Sequence, residues 1–234
     1  DEGVDWLSSL SGDWDEKNQI VHHAWWHRCL FHLERGESDE VFELFSQEVR
    51  NPDSSRVKQA PEAYVDVQNT ASLLMRMELA GFEVGDRWSG LVPLAESRLE
   101  DHTSPFTSIH ALIILAKSGM LEKARTMIGN MLAFTDLDQG PIGNTYRQVV
   151  VPAAEAVLAF VEDQPKQVLE RLMPIRFLLY RMGGSHAQRD LFWQMMTRTA
   201  LQLEDRTLLG QLHSEIRDFG FSMMEQRRAY AGVF

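Results

Sequence analysis

The 234-residue chain is 44% hydrophobic and 24% charged, an ordinary globular balance that excludes wholesale disorder. Its formal charge of -11 and pI near 5.2 exclude a phosphate-binding surface, which needs clustered Lys and Arg, so no nucleic-acid partner is expected. One cysteine, Cys29, cannot close an internal disulfide; no N-terminal basic-then-apolar segment resembles a signal peptide, and no run approaches the roughly 18 apolar residues of a membrane span, so a cytoplasmic location without a membrane partner is expected.

Taken in chain order, five segments repeat one plan: an apolar helical stretch, a short turn and a second amphipathic helix. They begin at "NQIVHHAWWHRCLFHLERG", "EAYVDVQNTASLLMRMELAG", "SPFTSIHALIILAKSG", "TYRQVVVPAAEAVLAFVED" and "SHAQRDLFWQMMTRTALQLED". The predicted turn residues Gly36, Gly81, Gly119, Asp163 and Asp205 are separated by 45, 38, 44 and 42 positions in the numbering, close to a helical-hairpin period with loop insertions. The β-branched "QVVV" at 148–151 is a weak strand signal, because Pro152 and "PAAEAVLAF" read better as helix continuing past a kink. Ser104 before Pro105, and Gln164 before Pro165, read as N-caps followed by a first-turn proline. The polar loops "NPDSSRVKQAP" and "DLDQGPIGN" are the longest connections and the expected mobile segments.

The phrases "WWHRCLFHLERGESDEVFELF", "LLMRMELAG" and above all "LYRMGGSHAQRDLF" resemble the C-terminal half of the tetratricopeptide repeat protein 38 family, in the right order and over nearly the whole chain. The resemblance implies an all-α fold, a right-handed superhelix of about five antiparallel helical hairpins, here a single tetratricopeptide-like domain over residues 1–234. It implies no settled activity. Proteins of the family carry further helical repeats upstream, and a chain opening at Asp1 rather than Met is what a fragment of such a protein would show.

Within "GGSHAQRDLF", Gly183 and Gly184 read as the stop of one helix, while Ser185 and Gln188 form the capping box of the next. His186 and Asp190 are left over, four positions apart on one helix face. Other polar residues interrupt the first helices in the same way. His23, His27 and Glu34 share a stripe of the first hairpin, Asp66 and Asn69 fall in the second, His110 in the third, and Tyr146 and Arg147 in the fourth. First helices line the concave surface of tetratricopeptide-like superhelices, so the resemblance implies that these side chains face one groove.

Two functions fit that pattern. The first is a helical-repeat scaffold binding a protein, peptide or small-molecule ligand in the groove. The second is an enzyme or a protein binding a divalent metal ion, with His23, His27, His186 and Asp190 as candidate ligands or a His–Asp pair as general base. "HAWWH" lacks the glutamate of the HExxH zinc-protease signature. Cys29, in an apolar helix, reads as a buried inert thiol; Trp25, Trp26 and Phe31 read as core, as do most methionines of "LLMRM", "WQMM" and "SMM".

Overall fold

The structure is a computed structural model that describes residues 2–14, 20–219 and 226–233, and no strand occurs among them. The "NQ" at 18–19 that opens the first predicted hairpin and the "SMM" at 222–224 lie outside the described residues. Two compact units are present: Asp1–Val84 with Met224–Phe234, and Gly85–Met223. No helix among the described residues is long and apolar enough to cross a membrane.

The first unit contains α1 (Glu2–Leu10), α2 (Val21–Arg35), α3 (Ser38–Leu44), the short α4 (Ser55–Gln59) and α5 (Tyr64–Leu79). Helix α2 packs against α1, α3 and α5. Every residue of α5 from Asp66 to Met77 is buried, polar side chains included. The loop at 51–61, expected to be mobile, instead holds α4, whose N-cap Ser54 accepts a hydrogen bond from the Val57 amide.

The second unit begins with a 3₁₀ segment (Gly85–Leu91) leading into α6 (Val92–Glu96), so the second helix of the second predicted hairpin is broken rather than continuous to Leu99. There follow α7 (Pro105–Lys117), α8 (Leu121–Leu137), α9 (Pro141–Thr145), α10 (Val151–Val161), α11 (Pro165–Leu172), α12 (His186–Gln202) and α13 (Arg206–Asp218). Helix α8 buries only Ala124, Met127, Ile128, Met131 and Thr135, one stripe at helical spacing, whereas α7 buries every residue from Phe106 to Ala116. Helix α10 packs against both α7 and α8, α11 lies against α10 and α12, and α13 lies against α12. Met75, Met77, Met195 and Met196 are fully buried, as expected of core methionines.

One turn recurs five times. Gly36, Gly81, Gly119, Asp163 and Glu204 all have positive φ, and the amide after each bonds the carbonyl five residues back: Glu37 to His32, Phe82 to Met77, Met120 to Leu115, Gln164 to Ala159 and Asp205 to Ala200. This left-handed cap satisfies carbonyls that the helix end would leave open, and it reverses the chain within three or four residues. Four of the five predicted turn residues hold these positions. The fifth moves by one: Glu204 is left-handed, and Asp205 instead caps α13 by accepting the Leu208 amide.

Residues 146–151 form helix rather than strand. A π-helical turn, Tyr146–Val150, joins α9 to α10 and is closed by the Val151 amide donating to the Tyr146 carbonyl. Pro152 explains the widening, because its ring collides with the carbonyl four residues back in a regular α-helix. Ser104 caps α7 through the Thr107 amide. Gln164 stands at the start of α11 without a side-chain cap bond. The predicted capping box of Ser185 and Gln188 is present on α12, but the segment before it is a 3₁₀ turn, Leu179–Met182, and Gly183 has φ 100° and ψ -164°, open to glycine rather than left-handed helical.

Glu204 is exposed and its left-handed backbone is strained relative to glycine. Glu204→Gly is expected to raise unfolding free energy by about 0.5–1 kcal/mol, read from urea denaturation. An unchanged or lowered stability would contradict the assignment of this turn.

Candidate functional site

Five of the ten predicted site residues belong to the first unit, and four of them meet there. On α2, the His22 Nδ1–H donates to Asp66 Oδ2 at 2.9 Å, and His23 Nδ1 stands 3.3 Å from Asn69 Oδ1. Adjacent histidines on α2 thus reach residues three apart on α5, which matches one turn of helix. Arg56 also donates to Asp66 Oδ2, at 3.3 Å. His27 completes the group with its Nε2 3.1 Å from His23 Nε2.

The proton count follows from these contacts. The amide oxygen of Asn69 only accepts, so His23 Nδ1 is the donor in that pair. One proton then lies between the two Nε2 atoms. Burial chiefly, with the neighbouring His23 and Arg76, pushes His27 down to about 4, so His27 is neutral at pH 7. Trp26 closes the cluster: its ring stacks on His23 at 5.2 Å and meets His27 edge-on at 4.9 Å, and the Arg76 guanidinium lies 5.6 Å from its centroid. Arg76 is itself held to Ser72. Trp26 Nε1 and Asp66 Oδ1 are buried without a hydrogen-bond partner among the described residues. Each such group carries a desolvation cost of about 1–3 kcal/mol.

Glu34 lies on the predicted stripe but pairs with Arg227 at 3.4 Å instead of entering this cluster. Cys29 is buried, and its burial pushes the thiol up to about 12, so it is no nucleophile at neutral pH. Trp26 is core as expected, whereas Trp25 is half-buried and Phe31 exposed.

In the second unit the predicted residues go to separate partners. His110 Nδ1 bonds the Phe106 carbonyl one turn back at 2.7 Å, and the Tyr146 hydroxyl bonds Ser108 at 2.6 Å. Tyr146 is fully buried, and burial raises its pKa to about 12. Arg147 is exposed and binds Asn144 and the Thr135 carbonyl, which ties down the loop "DLDQGPIGN" that was expected to be mobile. Gly143 is obligatory there, since a Cβ would meet the Asp138 carbonyl oxygen at 1.9 Å. His186 is exposed at the first position of α12; Asp190 is buried one turn later, accepting from Gln194 at 2.7 Å.

Among the described residues no group of three or more His, Cys, Asp or Glu side chains is gathered as a metal ion needs. His23 and His27 bring two donors together, fewer than the three protein ligands of a catalytic zinc site. Sequence reasoning missed His22, Arg56, Trp26 and Arg76 as members of the cluster. The "HH" doublet was a usable signal for His22; Arg56 lies on the short α4, in a stretch that reads as a loop, and had none. No protein-family model matches the chain, and no solved structure matches it.

The depressed pKa of His27 makes a signed prediction. The unfolded chain takes up this proton near pH 6.5 and the folded chain only near pH 4, so stability falls as pH drops through that window. The contribution is about 2 kcal/mol lost between pH 6.5 and 5. His27→Gln keeps a donor for His23 and is expected to flatten the pH dependence of urea unfolding by about that amount. Equal slopes for the two proteins would refute the assignment.

Proposed function

We propose that the chain is a tetratricopeptide-like helical-repeat scaffold, with hairpins stacked in a right-handed superhelix, that binds a peptide, a protein or a small ligand through polar side chains of its first helices. The observation that carries the reading is the fivefold left-handed turn between paired helices, joined by the packing of α10 onto both helices of the preceding hairpin. That arrangement is the stacking unit of helical repeats, whose usual role is to present an extended binding surface. The binding part of the proposal is supported by the spare buried donor of Trp26 and the spare acceptor of Asp66 beside the His23–His27 pair. Both ring nitrogens of His23 and Nε2 of neutral His27 are used within the cluster, which leaves His27 Nδ1 for a polar ligand beside these two groups.

A random-peptide display selection on the purified chain is expected to enrich a shared motif. The enriched peptide should bind His27→Ala and Asn69→Ala about tenfold more weakly, by calorimetry, with far-ultraviolet circular dichroism unchanged. Binding undiminished in both variants would contradict the role given to the α2–α5 cluster.

A further inference from the structure

The strongest unassigned feature lies within the second unit, where the 3₁₀ turn after α11 faces the start of α12. A cavity of about 230 Å³ is walled there by Phe177, Tyr180, Trp193 and Phe219, with His186 and Arg189 at its edge. Three of the four rings are unusually open for aromatic side chains: Tyr180 is 62% exposed, Phe219 45% and Phe177 41%. Exposed aromatics converging on one hollow are characteristic of a binding patch rather than of a solvated surface.

The walls are preorganised. Phe177 and Phe219 stack at 5.2 Å and 14°, while Trp193 tilts against them at 6.1 and 5.9 Å. Arg176 lies 4.1 Å over the Phe177 ring and is held by both oxygens of Glu215, at 2.7 and 2.9 Å. That ion pair is internally neutral and stiffens the wall. Arg189 differs. Among the described residues its hydrogen bonds go to the carbonyls of Gly183 and Gly184, no carboxylate pairs with it, and burial lowers its pKa. In a chain of net charge -11, a guanidinium at an aromatic cavity with no counter-ion among the described residues is half of an ion pair.

The charge decides the ligand. An aromatic cage for an alkylammonium would need a free anion or at least no adjacent cation, and among the described residues no carboxylate lines the cavity, Glu215 being paired with Arg176 of its wall. A ring joined to a carboxylate satisfies both halves. The volume decides its setting: a cavity below the usual range of roughly 300–1,000 Å³ for small-molecule sites takes a single ring-sized group, with the remainder of the ligand outside.

We infer that this cavity receives the C-terminal aromatic residue of a peptide, its ring among Phe177, Tyr180, Trp193 and Phe219 and its terminal carboxylate on Arg189. The inference rests on the scaffold reading only for the choice of a peptide over a free aromatic acid. Gly184 packs closely on Phe106: at its φ of 78° a Cβ would meet the Phe106 ring at 2.5 Å, so a larger residue there would strain the segment that carries Arg189's acceptor carbonyls.

Titration calorimetry with acetyl-Ala-Ala-Phe as free acid, with its C-terminal amide and with 3-phenylpropionate tests this on the intact chain. The free acid is expected to saturate one site, with the amide and phenylpropionate each binding about tenfold more weakly. Arg189→Gln should bring the acid down to the level of the amide and leave the amide itself unchanged, which also reports an intact cavity in that variant. Tyr180→Ala, at an exposed position, should weaken acid and amide alike. Equal binding of acid and amide, or no saturable binding of the acid, overturns the proposal; phenylpropionate binding as tightly as the peptide overturns the choice of a peptide. Failure of this titration alongside a display-selected peptide that depends on His27 would leave the scaffold reading standing, so the two can fail separately.

Discussion

Burial of the first helices is the constraint on which the structure depends. Helices α5, α7 and α12 are enclosed along most of their length, yet they carry Asp66, Asn69, Ser72, Arg76, Ser108, His110, Asp190 and Gln194. A buried polar group without a partner costs about 1–3 kcal/mol, so each of these has to find its complement inside the protein. The α2–α5 contact answers this with paired imidazole–carboxylate and imidazole–amide bonds. In α7 the answer is local, through the carbonyl one turn back and through Tyr146. The outer helices α8, α11 and α13 escape the problem by burying a single apolar stripe.

The same constraint gives the α2–α5 cluster its chemistry. Burial keeps His27 from taking up a second proton at neutral pH, so it acts as a neutral hydrogen-bonding group of fixed orientation. Asp66 accepts from two donors, His22 and Arg56, on one oxygen, and its other oxygen has no hydrogen-bond partner among the described residues. The aromatic cavity of the second unit works in the opposite way. Its polar side is a cation, Arg189, which has no carboxylate partner among the described residues. The two proposed sites thus differ in ligand chemistry: a polar group at the first, an aromatic anion at the second.

Much of the fold was legible in the sequence because the turn chemistry is strict. Only glycine adopts positive φ freely, and three of the five reversals use it; at the other two, Asp163 and Glu204, propensity gives a weaker signal, and the fifth turn was misplaced by one residue for that reason. The π-helical turn at Tyr146 was foreseen as a kink through Pro152, but its wider winding depends on a backbone bond that no residue pattern announces. Among site residues, His23, His27, Asp66 and Asn69 were found because polar groups interrupt apolar helical stretches. The same rule also gathered His110 and Tyr146, whose partners are a backbone carbonyl and a serine. Polarity on a buried helix identifies a group that needs a partner, and it does not say whether that partner is protein or ligand. Glu34 and Arg147 are exposed or partly exposed residues, and their ion pair and loop contacts rest on chain segments far away in sequence or irregular in form.

Native-state hydrogen exchange measured helix by helix tests the buried-layer account most directly. The account predicts that amides of α5, α7, α10 and α12 exchange only with the most stable opening of their own unit, while those of α8, α11 and α13 exchange through smaller, less costly openings. Protection of α8, α11 and α13 equal to or greater than that of α7, α10 and α12 would contradict it.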